Sequence, residues 1–355
     1  MKIFKRVLVW AMLSLMLQSM VLLYFEKVIF VETTKITYRK EDTEEKPEKV
    51  TEVTMPEEAE DFELSYDGKF VAYMSNGKIN VVNTTTGKKS YGIVDDKNIS
   101  ILCYDWQTDK NILLIAERKY NDNGTEVINI IAHNPSSNTT REVHEVCNYK
   151  EGMLVENIAN STKSSVTYVP VSRGGNNATI YRIDINDDIE KLDDRVASLG
   201  CINVFYAKDA LIYEDRIKQQ YYRYSNDQMT IIDFDNPAKT TILGLTNNGV
   251  IYAGIKNSED KITEIIYGED KVSTKEWEKT TLPEPKEISD LYIVKGDNSG
   301  SGDILVNNKL EGKVTNLTTN EVVEYEGKFI AMNDSIVCSL NDSILKIKSL
   351  KSTKK

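Results

Sequence analysis

Between Asp61 and Val94 the chain reads DFELSYDGKFVAYMSNGKINVVNTTTGKKSYGIV, four short strand-like runs joined by three turns. Asp67-Gly68 and Asn76-Gly77 mark turns that need positive φ, where glycine carries no steric penalty and Asn or Asp little. Between them, Phe70-Val71-Ala72-Tyr73 and Ile79-Asn80-Val81-Val82 are rich in the β-branched and aromatic residues that suit a pleated surface. A four-stranded meander this small leaves an apolar face open to water, so it needs further sheets of its own kind. That requirement limits what the remaining sequence can be.

The rhythm recurs. Apolar strand cores are read at Phe70–Met74, Ile112–Ala116, Val166–Val169, Ala210–Tyr213, Val250–Ala253, Ile304–Val306 and Ile336–Cys338. Their spacing centres in the mid-forties, and repeats of ~40–50 residues with four strands each are propeller blades. Polar turns lead from several cores into partners at Val127–Ala132, Thr179–Ile185 and Ile262–Tyr267. Past the N-terminus no stretch keeps a 3.6-residue period between helix caps. The expected fold is all-β, a β-propeller of about seven four-stranded blades over residues 61–350, with six or eight also compatible. The last copy holds three strands, Lys328–Met332, Ser335–Leu340 and Ser343–Lys348. A ring of sheets removes its free edge when both ends of the chain share a blade, so a strand at Val50–Thr54 is expected to complete it.

The segment Leu64-Ser65-Tyr66-Asp67-Gly68-Lys69-Phe70-Val71-Ala72-Tyr73, with Asn76-Gly77-Lys78 and Thr86-Gly87-Lys88 after it, resembles the repeat of TolB-like and dipeptidyl-peptidase-IV-type β-propellers. Tyr66 stands where that repeat usually has proline, and Tyr104–Lys110 is a degenerate second copy. The resemblance implies a propeller fold and little about function. The peptidases of that group also carry a hydrolase domain with a Gly-x-Ser-x-Gly elbow. No such elbow occurs here, and Gly296–Gly302 has the wrong spacing for one.

Ahead of the repeats, Lys2, Lys5 and Arg6 precede a charge-free run, Val7–Phe25, apolar but for Ser14, Gln18 and Ser19. At ~1.5 Å per residue it spans roughly 28 Å, close to the hydrocarbon thickness of a bilayer. No small-x-small site follows at Met20–Glu26, so a signal-anchor is expected in place of a cleaved signal peptide. The basic residues place 1–6 in the cytoplasm and the bulk of the chain outside the cell membrane. Residues 26–60, dense in charge with Pro47 and Pro56, are read as a stalk, and 351–355 as a basic tail. Abundant Asn, Lys and Ile suggest a low-GC bacterial source.

Chemistry is harder to find. A net charge of −11, from 55 acids against 44 Lys and Arg, argues against nucleic-acid binding. Cys103, Cys147, Cys201 and Cys338 form no C-x-x-C pair and have no histidine partners, so they are read as buried thiols, with disulfides open to an exported domain. Only His133 and His144 occur, too few for a three-histidine zinc site. Asp184-Ile-Asn-Asp-Asp188 starts like a calcium loop, but Ile189 and Arg195 stand where that loop needs glycine and glutamate. No phosphate loop or dinucleotide motif is present, so no cofactor is expected.

The aromatic cluster Tyr221, Tyr222 and Tyr224, with Phe205, Tyr206 and Tyr213 upstream, is the candidate partner-binding surface. Packing between blades explains these rings as well. The expected role is a membrane-anchored binding or scaffolding module at the cell envelope, not an enzyme, whose partner is a protein or an envelope polymer. The alternatives are an enzyme using carboxylates in the propeller channel, for instance on envelope polysaccharide, and an accessory subunit of a membrane synthesis or secretion complex. Facing carboxylates in the channel point to the enzyme, and a channel filled by apolar side chains to the scaffold.

Overall fold

The structure is a computed structural model that describes residues 2–24, 51–90, 98–174, 176–186, 188–270, 273–296 and 302–350. Two compact units result, Met1–Pro47 and Glu48–Lys355. In the first, Lys2–Tyr24 is an α-helix. Among the described residues no helix is long and apolar enough to cross a membrane. The stalk up to residue 50, the basic tail 351–355 and most of Gly296–Gly302 lie outside the described residues.

The second unit is a seven-bladed propeller: seven separate antiparallel sheets, six of them built from sequence-adjacent strands and the seventh from both ends of the unit. Each core read from the sequence lies in the second strand of one blade. Those strands are Phe70–Ser75, Leu113–Tyr120, Val166–Arg173, Ala210–Asp215, Val250–Lys256, Ile304–Asn308 and Ile336–Asn341. The first strands line the axis, where Glu60–Leu64 packs beside both Ser100–Trp106 and Lys328–Met332, closing the ring. In the third blade the first strand is split into Met153–Val155 and Ala159–Ser161, both paired with Val166–Arg173. The outer strand of the seventh blade is Thr51–Thr54, antiparallel to Ile344–Ser349 with Val53 opposite Leu345.

Strand periodicity explains the assembly. Successive side chains point to opposite faces, and in a propeller both faces meet a neighbouring blade. Phe70 and Ala72 therefore pack on the second blade with Leu113 and Ile115, while Val71 and Tyr73 pack on the seventh with Cys338 and Leu345. In the fourth blade Ala210 and Ile212 face the fifth, and Leu211 and Tyr213 face the third. Seven apolar clusters result, one per blade interface. All four cysteines are free thiols; Cys338 is wholly buried in the interface between the seventh and first blades.

Candidate functional site in the axial channel

The first strands end on loops gathered at one end of the axis, and these loops enclose a cavity of about 390 Å³. Its wall comes from six blades: Glu63 and Tyr66, Asp105 to Asp109, Tyr206, Asn247, Tyr292 with Lys295, and Ala331 to Ser335. A second cavity of about 310 Å³ adjoins it, sharing Asp105, Trp106, Tyr206 and Lys295 and adding Asn157 and Asn160 from the third blade.

Polar contacts between blades hold this rim. Asn333 Nδ2 donates to the Ser65 and Tyr66 carbonyls at 3.0 and 3.2 Å, tying the seventh blade to the first. Asn111 Nδ2 donates to Asp67 Oδ2 at 3.2 Å, and Ser161 Oγ to the Tyr206 carbonyl at 3.0 Å. Asn247 donates from its backbone N to the Lys295 carbonyl at 2.8 Å and from Nδ2 to the Gly296 carbonyl at 2.6 Å. Asp334 Oδ1 accepts from the Tyr292 hydroxyl at 2.9 Å and from the Lys295 N–H at 3.1 Å. Tyr206 reaches over the third blade to donate to Asp109 Oδ2 at 3.1 Å.

Two carboxyls dominate the electrostatics. Glu63 is pushed up to about 7 by desolvation, by Asp105 and then by Asp61. Its side chain is exposed at the wall of the cavity. Asp105 is also pushed up to about 7, because burial outweighs the Ile158 N–H that donates to it at 2.7 Å. No lysine or arginine is among the charges acting on either group. Lys295 has Asp334 and Asp109 as carboxylate neighbours, and burial holds its amine below the usual lysine range. The wall thus carries four acids and one lysine among the described residues.

Of the aromatic residues singled out in the sequence, only Tyr206 reaches the cavity. Tyr221, Tyr222 and Tyr224 lie elsewhere, in the third strand of the fourth blade. Tyr221 is fully buried against the fifth blade and donates to the Thr240 carbonyl at 2.5 Å. Tyr224 is buried towards the third blade, and Tyr222 is half-buried with its ring 5.3 Å from Tyr213. Tyr221 and Tyr224 are thus packed between blades. His133 is buried with Nδ1 2.9 Å from the Thr140 hydroxyl, and Asp184 accepts from the N–H groups of Asn186 and Asp188 in its own turn. Glu63, Asp105, Lys295 and Asp334 were missed by sequence reasoning; the available signal was a charge placed on or just after a first strand, which faces the axis.

No protein-family model matches the chain, and no curated protein matches it. Among solved structures it is similar to the β-propeller domain of Cps50 (Swd1) from Myceliophteria thermophila, with a TM-score of 0.53 and 12% identity over 86% of this chain and 100% of that one. At that identity the likeness concerns the fold alone.

Proposed function

We propose that this chain is a membrane-anchored β-propeller on the outer side of the cell membrane, acting as a binding module through its axial cavity. The observation that carries the reading is an open, polar cavity of about 390 Å³ where loops from six blades converge, a size and position typical of ligand sites. The apolar run Val7–Phe25 behind Lys2, Lys5 and Arg6 supports the anchor and its orientation. The helix at Lys2–Tyr24 is consistent with it: Trp10, Leu13, Leu17 and Leu22 are all exposed in the chain alone, as lipid-facing side chains would be. A tether of this kind raises the effective concentration for envelope partners, protein or polymer.

The test is site-specific photo-crosslinking from intact membranes, with the crosslinker at Tyr66 on the cavity rim or at Ile217 on an exposed turn of the fourth blade. Capture from Tyr66 and none from Ile217 is the expected result. Capture from Ile217 alone rejects the axial site, and a chain that partitions with the soluble fraction rejects the anchor.

One observation favours a second reading, the carboxylate enzyme. Glu63 and Asp105 line the same cavity and Asp105 helps to push Glu63 up to about 7, and glycoside hydrolysis uses two carboxyls of which one is protonated. Release of reducing ends from envelope polysaccharide by the wild type, lost in Glu63→Gln, would select that reading over the binding module.

A further inference from the structure

The cavity wall is asymmetric in hydrogen bonding. Several of its donors are spent on the protein. Trp106 Nε1 donates to the Glu63 carbonyl at 3.1 Å, Tyr206 to Asp109, Tyr292 to Asp334, and the amides of Asn247 and Asn333 to backbone carbonyls of neighbouring blades. Some of its acceptors are not spent. Gln107 Oε1 and Asp109 Oδ1 are shielded from solvent without a partner among the described residues, and so is Asn157 Oδ1 in the adjoining cavity. Glu63 accepts no hydrogen bond from a described side chain, and Asp105 has the Ile158 N–H. A buried acceptor without a donor costs on the order of 1–3 kcal/mol, and two adjacent carboxyls without a cation repel each other. The molecule that relieves both brings donors and positive charge.

We propose that the axial cavity takes a small organic cation, its ammonium group set between Glu63 and Asp105 and its other N–H or O–H groups donating to Gln107 and Asp109. The inference rests on the axial cavity being the binding site. Lys295 does not fill the role, since its carboxylate neighbours are Asp334 and Asp109. The other titratable groups facing the pair are Asp61, Glu60, Tyr104 and Cys103, none of them cationic. Without ligand the two carboxyls hold protons near neutrality, so an entering ammonium displaces them. Binding therefore releases protons and strengthens as the pH rises from 6 to 8.

The probe is spermidine, titrated calorimetrically into the full chain in a neutral detergent, in two buffers of different ionisation enthalpy at pH 7. Sorbitol, a donor-rich molecule without charge, is the comparator. The expected result is saturable spermidine binding with proton release, affinity rising at least ~3-fold between pH 6 and 8, and no sorbitol binding. Glu63→Gln with Asp105→Asn should weaken spermidine at least ~10-fold and abolish the proton release, since a charged hydrogen-bonded contact is lost. Glu63→Gln alone serves if the double variant fails to fold. Absence of spermidine binding, binding unchanged in these variants, or sorbitol binding equally well would each overturn the proposal. A partner crosslinked from Tyr66 alongside no spermidine binding would reject the cation while leaving the axial site in place.

Discussion

The backbone N–H of Ile158 donates to Asp105 Oδ2 at 2.7 Å, so a cavity carboxylate also fastens the third blade to the second. Ile158 is itself buried in the apolar cluster between those blades. The contact sits where the first strand of the third blade breaks, between Val155 and Ala159, and satisfies an N–H the broken ladder leaves over.

Asp105→Ala should therefore destabilise the propeller by about 1–3 kcal/mol, the cost of a buried donor left unpaired. Asp105→Asn keeps an oxygen at the same place and should cost much less. Urea midpoints for the two variants check this. Equal losses for Ala and Asn would mean that charge, and not the Ile158 bond, is what the fold needs from this position.

The same two carboxyls give a pH dependence of definite sign. Unfolded, Glu and Asp titrate near ~4.3 and ~3.9, while in the native channel both stand at about 7. Between those values the native state holds more protons than the unfolded one, so stability from this pair is full below pH 4 and is lost as pH rises through 7. The melting temperature of wild type should fall, relative to the Glu63→Gln/Asp105→Asn double variant, between pH 5 and 8. A difference that stays constant across that window would contradict the assigned shifts.

The propeller was readable in the sequence because its second strands are apolar on both faces, as Phe70-Val71-Ala72-Tyr73 and Leu113-Leu114-Ile115-Ala116 show. Such runs stand out against polar turns whichever blade they belong to. The same double burial left the place of Tyr221 and Tyr224 open between rim and blade interface, since an aromatic strand looks alike in both. The cavity residues were not legible. Glu63, Asp105, Lys295 and Asp334 come from four blades, and each alone is one charge in a chain rich in charge. Only closure of the ring brings them together.

That closure depends on the strand preceding the first blade. Val53, opposite Leu345, and the adjoining Met55 are both buried between the seventh and first blades. Val53→Ala removes two methyl groups at ~0.8 kcal/mol each and leaves a void, for a loss of about 1.5–2.5 kcal/mol. Thr54→Ala, one position away on the same strand and exposed, should lie within about 0.5 kcal/mol of wild type, as exposed strand positions do. Chemical unfolding resolves the two. A Val53→Ala loss no larger than that of Thr54→Ala would mean the strand adds nothing to the ring.

Two glycines in the first blade share a backbone conformation and differ in surroundings. Gly68 has φ +70° and Gly77 φ +71°, both in the left-handed region. A Cβ at Gly77 would meet nothing, so Gly77→Ala should cost only the backbone strain of roughly 1–2 kcal/mol. A Cβ at Gly68 would come within 2.1 Å of Ile336 Cδ1, across the seam where the last blade meets the first. Gly68→Ala should therefore cost more than Gly77→Ala by whatever it takes to displace the Ile336 tip. Ile336→Val removes that tip, so adding it to Gly68→Ala should recover part of the excess, whereas added to Gly77→Ala it should only destabilise further. The double-mutant cycle reads this directly: a coupling energy between positions 68 and 336, and none within ~0.5 kcal/mol between 77 and 336. Zero coupling in the first pair would mean that the seam does not bring Gly68 and Ile336 into contact in solution.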